Sequence, residues 1–234
     1  MIAGPNSSTR LMRRALSHSM GALAAAIAAD LERTDEDRTF FENEKSKLEP
    51  LVAQLRSVHL AIEDHELGPG EVLQGQVEMG DEVLDRGVRV ANTRTKLGLR
   101  GKSGLDASHA FGTRVDELVK KPLAAEPGAV LDAVQRLNDV PPFDEKEKLQ
   151  QDLTRRAEQQ ESFLRARDAG YKLLMQKKSE AARLVVESAL SLASLRGAME
   201  HRFPRQRDYV KRFFMDARPR SPKPGESEGE GESG

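Results

Sequence analysis

Between Pro142 and Pro204 the chain carries no proline. Over that stretch Leu149, Leu153, Ala157, Phe163 or Leu164, Leu173, Leu184, Ala189, Leu192, Leu195 and Met199 keep returning to helical contact positions, as the apolar face of a 3.6-residue period requires. The string Asp144-Glu145-Lys146-Glu147 supplies a start signal. Asp144 is placed to accept a backbone N–H and Glu147 to reach back, an acidic analogue of the capping box. These features predict one helix running almost to Pro204, a rod of roughly 85 to 90 Å. A largely polar rod of that length cannot bury its apolar face alone and needs partners.

The N-terminal arm offers one such partner. Ser7 or Ser8 is placed to cap a first helix running to about Arg33, in which Leu16, Met20, Leu23, Ile27 and Leu31 form a stripe. Thr34, with Asp35 and Asp37, recaps the next stretch, and Pro50 is expected to start a new turn or kink the arm, because it lacks an N–H and clashes with the preceding turn. Leu51, Leu55, Val58 and Ile62 share a face up to Gly68-Pro69-Gly70, where glycine permits a C-cap and proline prevents continuation. Residues 8 to 66 match the later rod in length, so a long antiparallel pair is the economical arrangement. Homo-oligomeric coiled-coil pairing is a rival use of the same stripes.

From Glu71 to Lys96 the stripe Leu73, Val77, Leu84, Val88 and Ala91 favours helix over a short β-hairpin, although Gly75, Gly80 and Gly87 weaken helix propensity. Gly80 and Gly87 stand seven residues apart, so on a helix both lie near one face and admit a close neighbour. Leu97 to Gly104 reads as a basic, glycine-rich loop. Helices are expected at about 106–121 and 127–137, broken at Pro122, with Pro127 suited to a first helical turn. The predicted fold class is therefore all-α: a long antiparallel helical bundle or coiled-coil-like hairpin with shorter middle helices. A flexible start (1–7), a bundle (8–203), a short basic aromatic helix (204–217) and a disordered tail (218–234) complete the expected organisation.

Composition agrees with solvated helices. Hydrophobic residues make up 38%, charged residues 32% and aromatics only 4%, with no Trp, which suits extended helices better than a compact α/β enzyme. The 37 basic and 38 acidic side chains nearly cancel, so affinity for nucleic acid or a membrane must come from local clusters. Without Cys there is no disulfide, thiolate nucleophile or Cys-ligated zinc, and either redox compartment is compatible. Arg10, Arg13 and Arg14 before an Ala-rich stretch imitate a cleaved signal. Ser17, His18, Ser19 and Gly21 interrupt its apolar run, so an amphipathic helix and a cytoplasmic location are expected. No run is long enough to span a bilayer.

Catalytic signatures find no support. GLRGKS, from Gly98 to Ser103, resembles a phosphate loop, but that loop needs a glycine where this chain has Lys96, and a strand before it. His59 and Glu63 share a helical face, yet none of His18, His59, His65, His109 and His201 belongs to a Glu-x-x-His or HExxH pattern. No Ser sits in a Gly-x-Ser-x-Gly elbow. Adjacent pairs such as Glu63-Asp64 and Asp81-Glu82 diverge by about 100° on a helix and read as surface charges. Neither a cofactor nor a metal is expected.

The segment after Met199 stands out instead. Arg202, Arg205, Arg207, Lys211, Arg212, Arg218 and Arg220 interleave with Phe203, Tyr209, Phe213, Phe214 and Met215. As a helix, Val210, Phe213 and Phe214 share one side, a shape suited to a partner groove, an anionic lipid surface or a phosphate backbone. Arg205, Arg207, Tyr209, Lys211, Arg212, Phe213 and Phe214 are thus the candidate partner-binding residues. The alternative is intramolecular docking, with the aromatics closing the end of the bundle. A second basic cluster comprises Arg86, Arg89, Arg94, Lys96, Arg100 and Lys102. The acidic tail, with Glu226, Glu228, Glu230 and Glu232, has the sign to compete for such patches. The expected function is that of a non-enzymatic scaffold or adaptor whose partner is another protein or a second copy. Nucleic-acid or anionic-surface binding through the two clusters is the alternative, and an unrecognised bundle-core enzyme site a third.

Overall fold

The computed structural model describes residues 3–29 and 34–216. Expectations for Leu31, Arg33, Arg218, Arg220 and the tail from 218 onward lie outside the described residues. Among the described residues the chain is all-α, without strands. It comprises α1 (Thr9–Ala28), α2 (Asp35–Leu67), α3 (Pro69–Gly98), α4 (Ala107–Phe111), α5 (Val115–Val119), α6 (Glu126–Arg136), a 3-10 turn (Leu137–Asp139), α7 (Lys146–Arg202) and α8 (Arg207–Lys211). None of these helices is long and apolar enough to cross a membrane. Two compact units divide the chain: Met1–Ala61 with Lys177–Gly234, and Ile62–Gln176.

In the first unit, Ser8 caps α1 by accepting the Leu11 N–H at 3.2 Å, and Thr34 Oγ1 accepts the Asp37 N–H at the start of α2. Each cap satisfies a backbone donor that the first turn of a helix leaves without a partner. Met12, Leu16 and Leu23 of α1, Phe41, Leu48, Leu51 and Leu55 of α2, and Leu184, Leu192, Leu195 and Met199 of α7 form one buried core. Burying each such side chain is worth about 1.5–3 kcal/mol. Arg202 bonds Asp37 at 2.7 Å, which sets the end of α7 beside the start of α2, so the two run antiparallel. Pro50 lies inside α2 rather than starting a new turn. The buried Leu48 and Leu51 on either side of it tie the helix to the core across the hydrogen bond that proline cannot make.

In the second unit, Pro69 occupies the first turn of α3, one residue after the break at Gly68. The stretch expected to be helix or hairpin is helix throughout. Val77, Leu84, Val88 and Ala91 are buried, as the stripe requires. The glycine side of α3 meets α7 and the residues just before it: a Cβ on Gly80 would collide with Gln160 and Phe163, one on Gly87 would lie 2.7 Å from Arg156 Cδ, and one on Gly98 2.6 Å from Cδ2 of Phe143, which precedes α7. Leu73 packs on Gly170. Position numbers fall along α7 as they rise along α3, so this pair is also antiparallel.

Several boundaries differ from expectation. The helix predicted over 106–121 is two short helices, because Gly112 takes φ +80° and its N–H bonds back to Ser108 O. That left-handed geometry ends α4, and glycine adopts it without steric cost. The final basic aromatic helix spans only Arg207–Lys211. The pairing of residues 8–66 with one rod is also replaced: α1 and α2 share the second part of α7, while α3 pairs with its first part. Leu173, expected on the contact face of α7, is exposed.

Candidate functional site

The C-terminal segment is built onto the first unit by its own aromatic side chains. Phe41 stacks on Phe203 (centroids 5.8 Å apart) and on Phe213 (5.7 Å). Tyr209 meets Phe203 and Phe213 edge-on at 5.5 and 5.1 Å. Offset and edge-to-face pairs of this kind add about 0.5–1.5 kcal/mol each beyond the area they bury. Phe213 and Val210 are buried, and Ser19 Oγ donates to Phe213 O at 2.7 Å. Arg202 forks to Asp37 and Glu36 and lies 5.7 Å over the Phe40 ring. The hydrogen bond to Asp37 is the leading cause that raises the Arg202 pKa.

This arrangement separates the seven candidate residues into two groups. Tyr209, Phe213 and Phe214 turn toward the core, whereas Arg205, Arg207, Lys211 and Arg212 are exposed. Of these cations Lys211 bonds Asp208 at 2.8 Å, which holds that carboxyl below its usual range. Beside them a groove of about 690 Å³ is lined by Phe203, Arg207, Val210, Phe214 and Met215. The segment thus keeps a cationic rim while its apolar side closes the core.

The second basic cluster is distributed over different neighbours. Arg89 pairs with Asp116 of α5 at 2.7 Å and Arg94 with Glu145 at 3.1 Å. Lys102 Nζ donates to Pro142 O across the loop after α3, and Arg86, Lys96 and Arg100 are exposed. Gly101 and Gly104 in that loop take φ +78° and +126°. The loop follows a helix rather than a strand, so its setting differs from a phosphate-binding loop.

Two features escape the sequence reading. The first is a second apolar line on α3: Val72, Met79, Val83, Val90 and Leu97 are all exposed, Leu97 and Met79 by 65% each. At 100° per residue the five lie within about 40° of one another, and their spacing of seven, four, seven and seven residues was a signal in the sequence. The second is Glu126, only 1% exposed at the start of α6. Burial, then hydrogen bonding to Asp85 and Asp81 of α3, pushes its carboxyl up to about 9. Asp81 belongs with Asp85, one turn along α3, and not with its sequence neighbour Glu82.

His18 Nε2 lies 3.1 Å from Arg212 O and His109 Nε2 lies 3.2 Å from Asp139. Among the described residues no group of three or more His, Cys, Asp or Glu side chains is arranged to hold a metal ion. Comparison of the chain with protein-family models, with curated proteins and with solved structures gives no match.

Proposed function

We propose that this chain is a non-enzymatic helical scaffold or adaptor, acting in the cytoplasm through helix-face contacts. The observation that carries this reading is the apolar line on α3. Its five large side chains remain exposed although the opposite face of the same helix supplies Leu84, Val88 and Ala91 to a core. A helix apolar on two faces offers the second to another molecule.

The cationic rim Arg205, Arg207, Lys211 and Arg212 is the second contact surface in this proposal, held in place by the aromatic side chains beneath it. It also supports the alternative of nucleic-acid or anionic-surface binding, since several exposed cations on one short segment act together on phosphates.

Tagged full-length protein purified from its native cells at low salt distinguishes these. Proteins retained by the wild type and lost from Met79→Glu/Val90→Glu support the scaffold. Nucleic acid that is shed by salt, and lost from the quadruple Arg205→Glu/Arg207→Glu/Lys211→Glu/Arg212→Glu variant, supports the alternative. Retention of the same proteins by both variants refutes both surfaces.

A further inference from the structure

We infer that the apolar line of α3 is a self-association surface, on which a second copy of this chain docks its own α3 antiparallel. This deepens the scaffold reading and rests on it. The argument comes from how charge is arranged along the helix. Over Pro69–Gly98 every acidic residue precedes every basic one: Glu71, Glu78, Asp81, Glu82 and Asp85, then Arg86, Arg89, Arg94 and Lys96. The sign changes between adjacent residues, Asp85 and Arg86, near the middle of the helix.

The helix macrodipole accounts for part of this order only. Its field favours acids in the first turn and bases in the last and fades beyond them, so Glu71 and Lys96 satisfy it, whereas Glu78, Glu82, Arg86 and Arg89 sit too far inside. Asp81 and Asp85 have a separate role beside Glu126. Glu78, Glu82 and Arg86 remain as exposed charges flanking the apolar line.

An antiparallel pair makes sense of them. Turning a second α3 about a two-fold axis between residues 84 and 85 sets Val72 opposite Leu97 of the second copy and Met79 opposite its Val90, and places Val83 beside its Arg86. The same register brings Glu82 to Arg86 of the second copy, and Glu71 to its Lys96 and Arg100. A parallel pair sets acid against acid and base against base. Seven-residue recurrence of apolar positions with flanking charges that choose orientation is the pattern by which paired helices select a partner. A two-fold pair also closes on itself, and so ends at two copies.

The test uses the full chain in sedimentation equilibrium at micromolar concentration, in about 0.05 M and about 1 M salt, a range over which exposed charges pass from weakly to strongly screened. The wild type is expected to dimerise, more weakly at high salt. Met79→Glu/Val90→Glu should weaken the dimer on the order of tenfold or more with unchanged helical content. Since the chain has no native Cys, single Met79→Cys and Val90→Cys variants report orientation. Mixed and oxidised, they should cross-link to each other far better than either does to itself.

A monomeric wild type, a dimer indifferent to the double substitution, a dimer strengthened by salt, or preferential cross-linking of like variants each overturns the inference. The scaffold reading fails separately. A monomeric wild type that still retains other proteins through Met79 and Val90 leaves that reading standing and removes self-association alone.

Discussion

Ser19 Oγ donates a buried 2.7 Å hydrogen bond to the carbonyl oxygen of Phe213, 194 residues later in the chain. The carbonyl belongs to the short stretch after α8, and the hydroxyl to the third turn of α1. In a sequence reading Ser19 interrupts an apolar run and Phe213 is a partner-binding candidate. Together they show the aromatic segment anchored on its own bundle. His18 reinforces the contact by facing the next carbonyl back, Arg212 O.

Ser19→Ala leaves the Phe213 carbonyl buried without its donor, which costs about 1–3 kcal/mol. Phe213→Ala removes a ring stacked on Phe41 and touching Tyr209 and is expected to cost about 3–5 kcal/mol. Urea unfolding followed by circular dichroism measures both. Equal stability of Phe213→Ala and wild type would mean that the segment is not part of this core.

Glycine substitutions should separate by position. Gly80→Ala puts a methyl group into Gln160 and Phe163. Gln160 is held by its bond to Val77 O at 3.2 Å, so overpacking of about 1–3 kcal/mol is expected. Gly21→Ala in α1 meets nothing within 4 Å and should stabilise by about 1 kcal/mol through helix propensity. Opposite signs in thermal unfolding are the expected result, and a stabilising Gly80→Ala would contradict the close approach of α7.

Pro50 offers a third test. Its side chain is exposed within α2, so Pro50→Ala restores a backbone donor without disturbing the core. A gain of about 1–3 kcal/mol is expected, reduced by the freedom alanine returns to the unfolded chain. A loss of stability in urea unfolding would show that the proline sets a bend the core depends on.

The helices were legible because their determinants are local. Ser8, Thr34, Pro69 and Pro127 act within one turn, and the stripe Val77, Leu84, Val88 and Ala91 follows from period alone. Close approach at Gly80 and Gly87 was readable for the same reason. What the sequence could not convey depends on three-dimensional choice. The polar faces of α1 and α2 do not state that both share the second part of α7, and nothing near Phe213 distinguishes an outward ring from one stacked on Phe41. The exposed line on α3 was hidden by a stronger stripe on the same helix. In sequence Glu126 is an ordinary first-turn acid, because only the fold sets Asp81 and Asp85 across from it.

That carboxyl makes stability depend on pH in a defined direction. The folded-state pKa of Glu126 is raised to about 9 from an ordinary value of 4.5, so the folded chain holds a proton that the unfolded chain releases. Stability from this group is fully present below pH 4.5 and is lost progressively as pH rises to about 9. Asp85 and Asp81 lie beside the carboxyl, whose single proton serves one acceptor, and ionising it sets three negative charges together. Glu126→Gln keeps a donor at every pH. It should therefore be more stable than the wild type at pH 7 by roughly 1–3 kcal/mol, with the difference growing between pH 5 and pH 9 and vanishing near pH 4. Urea unfolding of both proteins across that range measures it. A constant difference would show that Glu126 is ionised in the fold, and that the three carboxylates are kept together by something other than a shared proton.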